Sequence, residues 1–368
     1  MPEVELIDVS KSFGRVKAID HLSLKVEDNE YFTLIGPTGH GKTTTLKLIA
    51  GLVKPDEGDI YIDGKRVTDL PPEDRGVGFV FETFSLFPHC DVWRNTIYGP
   101  QVRAEDLERS GRVAQQLLDM VLLGRRTTSY PRELSGGMKQ RVALVRALAT
   151  GSKILLLDEP FGSLDAKIRM SLRNEVRMMV ENLGLTAIHV TNDTEEAMTI
   201  SDRMGVLREG RIIQGGNPEG IYKQPKSLFT ASFLGESNFL EGRIKEVTGG
   251  GFLAEVEGRK TVSVSDLGKW KRGDRVVLVV RAENVEITQA KSRRMNTLQG
   301  IVERSQFIQG FIRYEILAEI GVNIIVWTHT SGGESFPTGS QVAISIKPTN
   351  MLAFPYPQEG LEQAISFR

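Results

Sequence analysis

The chain has 368 residues, of which 40% are apolar and 25% are charged, and its formal net charge is −1. This composition predicts one large or two ordinary globular domains. It argues against nucleic acid as a partner, because no basic excess is present. A single cysteine, Cys90, excludes an intrachain disulfide. We expect it to be a small, buried or half-buried side chain, and a reducing compartment fits this count.

Apolar runs in this chain are short. The longest aliphatic runs, 154–157 and 276–280, have the length of strands, whereas a bilayer-spanning helix needs about 18 apolar residues. The first residues show no signal-peptide pattern. We therefore expect a soluble chain that needs a partner for any role at a membrane.

The first predicted elements surround a glycine-rich loop. Residues 3–8 and 21–26 alternate apolar and polar side chains and predict half-buried strands. Residues 31–35 are a more continuous apolar run that ends at the loop, and 43–50 predict a helix closed by Gly51. This strand–loop–helix context is the one that a phosphate-binding loop requires.

The loop carries a complete Walker A pattern. Its residues, with the threonine that follows, are the predicted nucleotide-binding residues Gly36, Pro37, Thr38, Gly39, His40, Gly41, Lys42, Thr43 and Thr44. The glycines let several backbone N–H groups point at one anion, and the helix adds its positive end. Lys42 is expected to reach the β- and γ-phosphates of ATP, and the Thr43 hydroxyl to bind Mg²⁺.

Helices and strands alternate through the next part of the chain. Amphipathic patterns predict helices over 105–123, from about 135, and over 168–183. Residues 154–157 have the all-apolar composition of a central parallel strand, and 186–191 predict another strand. This alternation predicts an α/β sheet.

The strand at 154–157 leads directly into two carboxylates, Asp158 and Glu159. An apolar strand that ends in a carboxylate is the Walker B arrangement. Asp158 is expected to hold Mg²⁺ through water, and Glu159 to orient and deprotonate the attacking water.

A second glycine turn opens a helix at Ser135, Gly136 and Gly137. Two glycines leave bare N–H groups, and a helix N-terminus attracts negative charge, so this turn is a candidate anion site. The alternative is a simple helix cap by Ser135.

The sequence pattern of the chain changes near residue 235. Short strand-like runs separated by glycine follow at 252–256, 275–280, 312–317, 322–327 and 342–346. They predict a small all-β domain of barrel or sandwich type. OB-like barrels can bind nucleic acid, but this one lacks the basic excess that such binding needs.

Together these motifs closely resemble the ATP-binding subunit of an ABC transporter, through about residue 235. Residues 134–137 match the family signature, 163–165 match its D-loop with Asp165, and Phe13 falls where an aromatic ring stacks on adenine. The C-terminal part resembles the TOBE region of sugar-type importers at 281–285, where Ala282 replaces a proline, and at 347–350.

The resemblance implies an architecture and a set of partners. It implies a P-loop ABC cassette over 1–235, with a helical subdomain at about 84–150, and an OB-like TOBE domain over 236–368. It also implies an ATP-driven dimer in which the signature of one subunit faces the Walker A loop of the other. Importer ATPases of this kind lie on the cytoplasmic face of the membrane and act with permease subunits and, indirectly, with a solute-binding protein.

The resemblance further assigns the contact with the permeases to the segment 81–98, which begins with Phe81 and ends with Tyr98. Candidates for that apolar contact are Phe84, Leu86, Phe87 and Trp93, each of which could equally belong to the local core. The expected cargo is a sugar, a polyol or a similar small solute.

Two residues depart from the family pattern. Glu82 stands in place of a glutamine; it adds a carboxylate beside Mg²⁺, which it could bind, and its charge works against the attacking water. Asn192 stands in place of the switch histidine and can carry neither a positive charge nor a transferable proton. His189 lies three residues earlier on a strand and is expected to face the other way, and His40 is expected to be solvated.

Glu159, Asn192 and Glu82 are thus the predicted catalytic residues, and Thr43, Asp158 and Glu82 the predicted Mg²⁺ ligands. One hypothesis is that the chain pairs with a second ATPase subunit, to which it lends an intact signature. The other is a homodimer in which the two departures work adequately. A nucleotide-binding regulatory or scaffold subunit with little turnover is the alternative function.

Overall fold

The computed structural model describes residues 2–104, 106–162, 164–289, 296–331 and 334–367. The chain forms two compact units, Met1–Gln224 and Pro225–Arg368. The boundary between the two units therefore lies earlier in the chain than residue 235, where the sequence pattern changes. In the described residues, no helix is both long enough and apolar enough to cross a membrane.

The first unit is an α/β structure. Its helices are α1 (Lys42–Ala50), α2 (Val92–Val102), α3 (Leu107–Met120), α4 (Gly136–Leu148), α5 (Ala166–Leu183), α6 (Thr194–Ile200) and α7 (Pro218–Lys223). Its strands are β1 (Val4–Phe13), β2 (Val16–Val26), β3 (Tyr31–Ile35), β4 (Glu57–Ile62), β5 (Lys65–Arg66), β6 (Val77–Val80), β7 (Ile154–Asp158), β8 (Thr186–Thr191), β9 (Arg203–Arg208) and β10 (Arg211–Gly216).

Two sheets organise this unit. One is antiparallel, with the order β2-β1-β4-β5, and the other has the order β10-β9-β3-β8-β7-β6. From β9 to β6 the second sheet is parallel. The carboxyl ends of parallel strands meet at one edge of a sheet, which is where ligands bind in such folds. The segments that follow β3, β6, β7 and β8 carry the Walker A loop, Glu82, Glu159 and Asn192.

Both faces of the central strands are buried, which explains their continuous apolar composition. Leu155 and Leu157 of β7 belong to a core shared with α3, α4 and α5. Their neighbours Ile154 and Leu156 belong to a second core, shared with α1 and the antiparallel sheet. The alternation follows from the two-residue period of a strand.

Helix boundaries are set by caps that periodicity does not reveal. The helix predicted over 105–123 is α3, and Glu105 lies outside the described residues. Asp106 caps α3 by accepting hydrogen bonds from the N–H groups of Glu108 and Arg109. Helix α2 was not predicted; Asp91 begins it by accepting from the N–H of Arg94.

The second unit is mainly β. Its strands are β11 (Ser237–Thr248), β12 (Gly251–Val256), β13 (Lys260–Val264), β14 (Arg275–Arg281), β15 (Val285–Gln289), β16 (Thr297–Ile308), β17 (Phe311–Ala318), β18 (Asn323–His329), β19 (Gln341–Ile346) and β20 (Leu352–Pro355). They form two antiparallel sheets, ordered β13-β12-β11-β14-β20 and β15-β19-β16-β17-β18. The predicted order, an α/β unit followed by an all-β sheet region, is confirmed.

Two short helices, α8 (Leu228–Phe233) and α9 (Leu361–Ile365), also belong to the second unit. Leu228 and Ala231 of α8 are buried with Val277 and Val279 of β14. This burial is why the chain divides before α8 rather than after it.

Candidate functional site

The Walker A segment forms an open loop between β3 and α1. Gly41 caps α1 with φ of 105°, and a Cβ there would lie 2.4 Å from the carbonyl oxygen of Ala18. Gly39 has φ of 85° and open space where its Cβ would be. Because the backbone is bare and uncrowded at Gly39, a phosphate group can approach its amides. The loop geometry therefore fits a phosphate group.

Lys42 lies across this loop. Its Nζ donates hydrogen bonds to the carbonyl oxygens of Gly36 at 2.8 Å and Pro37 at 3.0 Å, and lies 3.9 Å from Oε1 of Glu159. Burial lowers the pKa of the Lys42 ammonium, and the Glu159 charge opposes this. The positive charge of Lys42 is therefore only partly compensated by Glu159. A polyphosphate would bind this charge more strongly than the two carbonyl oxygens do.

Thr43 and Asp158 meet at the edge of the sheet. The Thr43 hydroxyl donates a 2.8 Å hydrogen bond to Oδ1 of Asp158. A hydroxyl and a carboxylate are the oxygen ligands that Mg²⁺ prefers, and this ion usually keeps water and phosphate as its other ligands. Among the described residues, no group of three or more His, Cys, Asp or Glu side chains could hold a metal. The donors present thus fit a Mg²⁺ bound jointly with a nucleotide.

The acidic groups of the site perturb one another. Burial raises the pKa of Asp158, and the Thr43 hydrogen bond lowers it. Burial also raises the pKa of Glu159, Lys42 lowers it, and the negative charge of Glu82 raises it again. Glu82, though exposed, therefore lies close enough to act on both carboxylates. Its charge favours a cation at this edge and disfavours additional negative charge.

Glu159 has an unusual backbone. Its φ is 43°, in the left-handed region that non-glycine residues rarely adopt. Its N–H donates to the carbonyl oxygen of Val190 at 3.0 Å, and its own carbonyl accepts from the N–H of Gly162 at 3.2 Å. These bonds hold the chain as it leaves β7 beside β8, and strain of this kind is concentrated at functional sites.

Asn192 and His189 occupy different environments, as the strand period predicts. Asn192 is exposed and follows β8 directly. His189 is fully buried, with its ring 6.0 Å from that of Tyr31 and 5.7 Å from that of Phe161. Burial lowers the pKa of His189 to about 3. A neutral, buried imidazole cannot replace the histidine missing at position 192.

The Ser135 turn is both a helix cap and a close contact. Ser135 is exposed, and its Oγ accepts from the N–H of Met138 at a long 3.4 Å. A Cβ on Gly136 would lie 3.0 Å from Cδ2 of Leu164, and one on Gly137 would lie 2.9 Å from Cγ2 of Ile168. A side chain at either glycine would require Leu164 or Ile168 to shift, so the turn packs closely against both residues. The weak cap leaves the Ser135 hydroxyl available for a ligand.

The remaining predicted nucleotide-binding residues lie apart from these contacts. Phe13 is exposed, with the Lys11 ammonium 5.6 Å from its ring centre. Asp165 is exposed and begins α5 without a side-chain cap bond. His40 differs from expectation, because its ring is half-buried and its Nδ1 accepts from the N–H of Glu209 at 3.1 Å.

The segment 81–98 has a mixed character. Phe84, Leu86 and Trp93 are partly buried against the core that α3, α4 and α5 share with β7. The ring of Phe87 lies 4.5 Å from that of Tyr98, which is exposed, with the two ring planes tilted by 47°. Three of the four contact candidates thus contribute to the local core.

Two arginines that sequence patterns did not indicate reach the functional segments. Arg146 of α4 donates to the carbonyl oxygens of Ser85 at 2.7 Å and Phe84 at 3.1 Å, both of which have left-handed backbones. Arg169 of α5 contacts the segment after Asn192. The contacts of these two arginines can be recognised only in the three-dimensional structure, because neither residue lies in a phosphate-binding motif.

Comparison with known proteins agrees with this geometry. The family model described as ABC transporter matches residues 19–162. The spermidine/putrescine import ATP-binding protein PotA of Protochlamydia amoebophila is 38% identical over 299 residues, which cover 80% of each chain. The Fe(3+) ions import ATP-binding protein FbpC of Fusobacterium nucleatum is 32% identical over 351 residues, which cover 95% of this chain and 93% of the relative.

Solved structures of ATP-binding cassettes cover more than half of this chain. A dimeric ATP-binding cassette in a post-hydrolysis state, bound to ADP and Pi, is 31% identical, with a TM-score of 0.53 over 58% of this chain and 98% of its own. A nucleotide-free cassette from an ABC transporter is 26% identical, with a TM-score of 0.56 over 61% of this chain and 97% of its own. Since the curated relatives also span most of its length, the chain belongs to the ABC transporter family as an importer-type ATP-binding subunit, and it is an ATPase.

Proposed function

We propose that this chain is the energy-coupling ATPase subunit of an importer of a small solute and that it pairs with a second, different ATPase subunit. The observation that carries the proposal is the contrast at one sheet edge. Lys42, Thr43 and Asp158 are arranged for Mg-ATP, whereas Glu82 adds negative charge and Asn192 presents an uncharged amide. The chain's own site then mainly holds ATP, and its Ser135 turn completes the partner's site.

The expected loss of rate at the chain's own site supports this assignment. Removing one preorganised group that stabilises developing charge costs on the order of 10²–10³ in rate.

In the chain's own site, Lys42 and the loop amides bind the phosphates, Thr43 and Asp158 hold Mg²⁺, and Glu159 orients the attacking water. Bound Mg²⁺ would offset charge on the phosphates. Asn192 offers one neutral hydrogen bond to the γ-phosphate.

Two knock-outs with opposite consequences test the pairing. The purified chain is mixed with a partner ATPase that carries glutamine and histidine at the matching positions. Glu159→Gln in this chain should leave most of the mixture's turnover, whereas Ser135→Arg should abolish it, because the signature serves the partner's nucleotide. Equal losses from both variants would contradict the heterodimer.

The chain alone provides the second test. Asn192 is exposed and makes no hydrogen bond among the described residues, so Asn192→His should not disturb the fold. We expect Asn192→His with Glu82→Gln to raise turnover of the chain alone on the order of 10²-fold. Brisk turnover of the unchanged chain would favour the homodimer. ATP binding without hydrolysis in any mixture would favour a regulatory subunit.

The remaining assignments follow the resemblance. We propose that the first unit, Met1–Gln224, is the cassette, that the second unit, Pro225–Arg368, is a TOBE domain, and that the segment 81–98 contacts permease subunits at the cytoplasmic face of the membrane. The resemblance to sugar-type importers suggests a sugar or polyol cargo, whereas the named relatives are ATP-binding proteins for the import of spermidine/putrescine and of Fe(3+) ions. Uptake of these four cargo classes by cells with and without the gene decides among them, since the ATP site does not touch the cargo.

A further inference from the structure

One arginine joins two segments of the proposed site. Nη1 of Arg169 donates to Oδ2 of Asp193 at 3.1 Å, and Nη2 of the same guanidinium donates to the carbonyl oxygen of Leu164 at 3.1 Å. Asp193 follows Asn192, and Leu164 precedes Asp165. The planar fork of arginine can hold two acceptors at a fixed separation, which the single ammonium of lysine cannot do.

Asp193 is held on its other side as well. Its Oδ1 accepts from the N–H groups of Glu195 at 2.9 Å and Glu196 at 3.1 Å, which caps α6. Its own N–H donates to Oγ1 of Thr191 at 3.0 Å. Asn192 therefore lies between two residues whose positions are fixed by hydrogen bonds, and Arg169 ties that fixed segment to α5.

Leu164 links Arg169 to the glycine turn at Ser135. Its N–H donates to the carbonyl oxygen of Phe161 at 3.2 Å, and its side chain lies against Gly136, where a Cβ would approach Cδ2 to 3.0 Å. A shift of the Leu164 carbonyl therefore moves a side chain that packs directly against the Ser135 turn. Packed contacts of this kind transmit displacements because the interior is dense.

We infer that Arg169 is a positioning residue that couples the Asn192 segment to the Leu164–Asp165 turn and, through Leu164, to the Ser135 turn. The inference rests on the proposed function for the roles of Asn192 and Ser135. The coupling makes the geometry around one nucleotide depend on the segment that faces the other, which is useful to a subunit that lends its signature to a partner.

The structural test changes one end of the bridge and measures the other. Asp193→Asn keeps an oxygen to cap α6 but replaces the Arg169 acceptor with an NH₂ group. We expect amide hydrogen exchange, measured by mass spectrometry on peptides spanning 161–170, to become about tenfold faster at protected positions. Arg169→Lys should give the same change in 161–170 and also in 191–197. Unchanged exchange in 161–170 with Asp193→Asn would overturn the inference.

Arg177 provides the matched control on the same helix. It also pairs with a carboxylate, Asp202 at 2.7 Å, and donates to a carbonyl, that of Ile200 at 3.1 Å. Arg177→Lys should alter exchange near 200–202 and leave 161–170 unchanged. The same acceleration of 161–170 in this variant would show a general loosening of α5 and overturn the inference.

The functional arm uses the mixture with the partner ATPase. Arg169→Lys should lower kcat about tenfold with KM for ATP unchanged, because the bridge acts on geometry rather than on nucleotide contact. Arg177→Lys should change neither. Equal rates for Arg169→Lys and the unchanged chain would overturn the inference. Exchange is measured without nucleotide, so it decides the bridge even if the mixture shows no turnover and the proposed function fails.

Discussion

Oγ1 of Thr43 donates a 2.8 Å hydrogen bond to Oδ1 of Asp158, which joins the first turn of α1 to the end of β7. In ATP-bound protein this pair is the proposed Mg²⁺ site. Thr43→Val should leave ATP binding without Mg²⁺ unchanged and reduce the gain from Mg²⁺ about tenfold, since one oxygen ligand is lost. Titration of a fluorescent ATP analogue with and without Mg²⁺ measures this. Thr43→Ser, which keeps the hydroxyl, is the control and should behave as the unchanged chain.

The Ser135 cap bond is long, so its loss should cost little stability. Ser135→Ala should lower the free energy of unfolding by about 0.5 kcal/mol but reduce turnover in the mixture more than about tenfold. Ser227, which caps α8 with a 3.1 Å bond from the N–H of Thr230, is the control. Ser227→Ala should cost about 1 kcal/mol and leave the rate intact. A rate loss from Ser135→Ala no larger than that from Ser227→Ala would assign Ser135 to capping alone.

Arg75 closes the carboxyl end of the Walker A helix. Its Nη1 donates to the carbonyl oxygens of Leu48 at 2.8 Å and Ile49 at 3.0 Å, and its other nitrogens donate to Thr68 and Leu70. Arg75→Lys should destabilise the first unit by about 2 kcal/mol, because one ammonium cannot satisfy these buried carbonyls. Urea unfolding measures the loss.

Arg66 is the control for Arg75. It is half-exposed and pairs with Asp59 and Asp69, each at 2.6 Å. Exposed pairs contribute little, so Arg66→Lys should change stability by less than about 0.5 kcal/mol. Similar losses in the two variants would contradict the role assigned to the Arg75 bonds.

The buried Glu196 makes stability depend on pH. Its Oε2 accepts from Thr191 at 2.8 Å and lies 3.7 Å from Nε2 of His189, and the charges of Asp193, Arg169 and Arg173 also act on it. Burial raises the pKa of Glu196 from 4.5 to about 7. The folded carboxyl therefore binds its proton more tightly than the unfolded one, and the stability this adds below pH 4.5 is lost as pH rises to about 7.

Glu196→Gln mimics the protonated form at every pH. We expect the variant to exceed the unchanged chain in stability at pH 8 by up to about 3 kcal/mol and to match it near pH 4, below the unfolded pKa of 4.5. His189 is present in both proteins, so its own titration cancels in the comparison. Unfolding by urea at the two pH values provides the measurement, and a pH-independent difference would contradict the assignment.

Local patterns were sufficient for elements whose signal is contained in a short stretch of sequence. The apolar run before Gly36 and the helical pattern after it predicted β3 and α1. The all-apolar run before Asp158 predicted β7, because a strand that is buried on both faces is apolar at successive positions. Helix α2 was missed, since it holds Pro100 and begins at a cap, Asp91, within a segment rich in aromatic residues.

The sequence by itself determined the order of the two regions and the presence of a phosphate loop, a carboxylate-tipped strand and a glycine turn, because glycine spacing and apolar periodicity are local properties. Only the tertiary structure decided that the segments after β3, β6, β7 and β8 share one sheet edge, that His189 is buried and that Arg169 reaches both Leu164 and Asp193. Those relationships join residues far apart in the chain, and they arise from strand order and side-chain packing, which no single segment encodes.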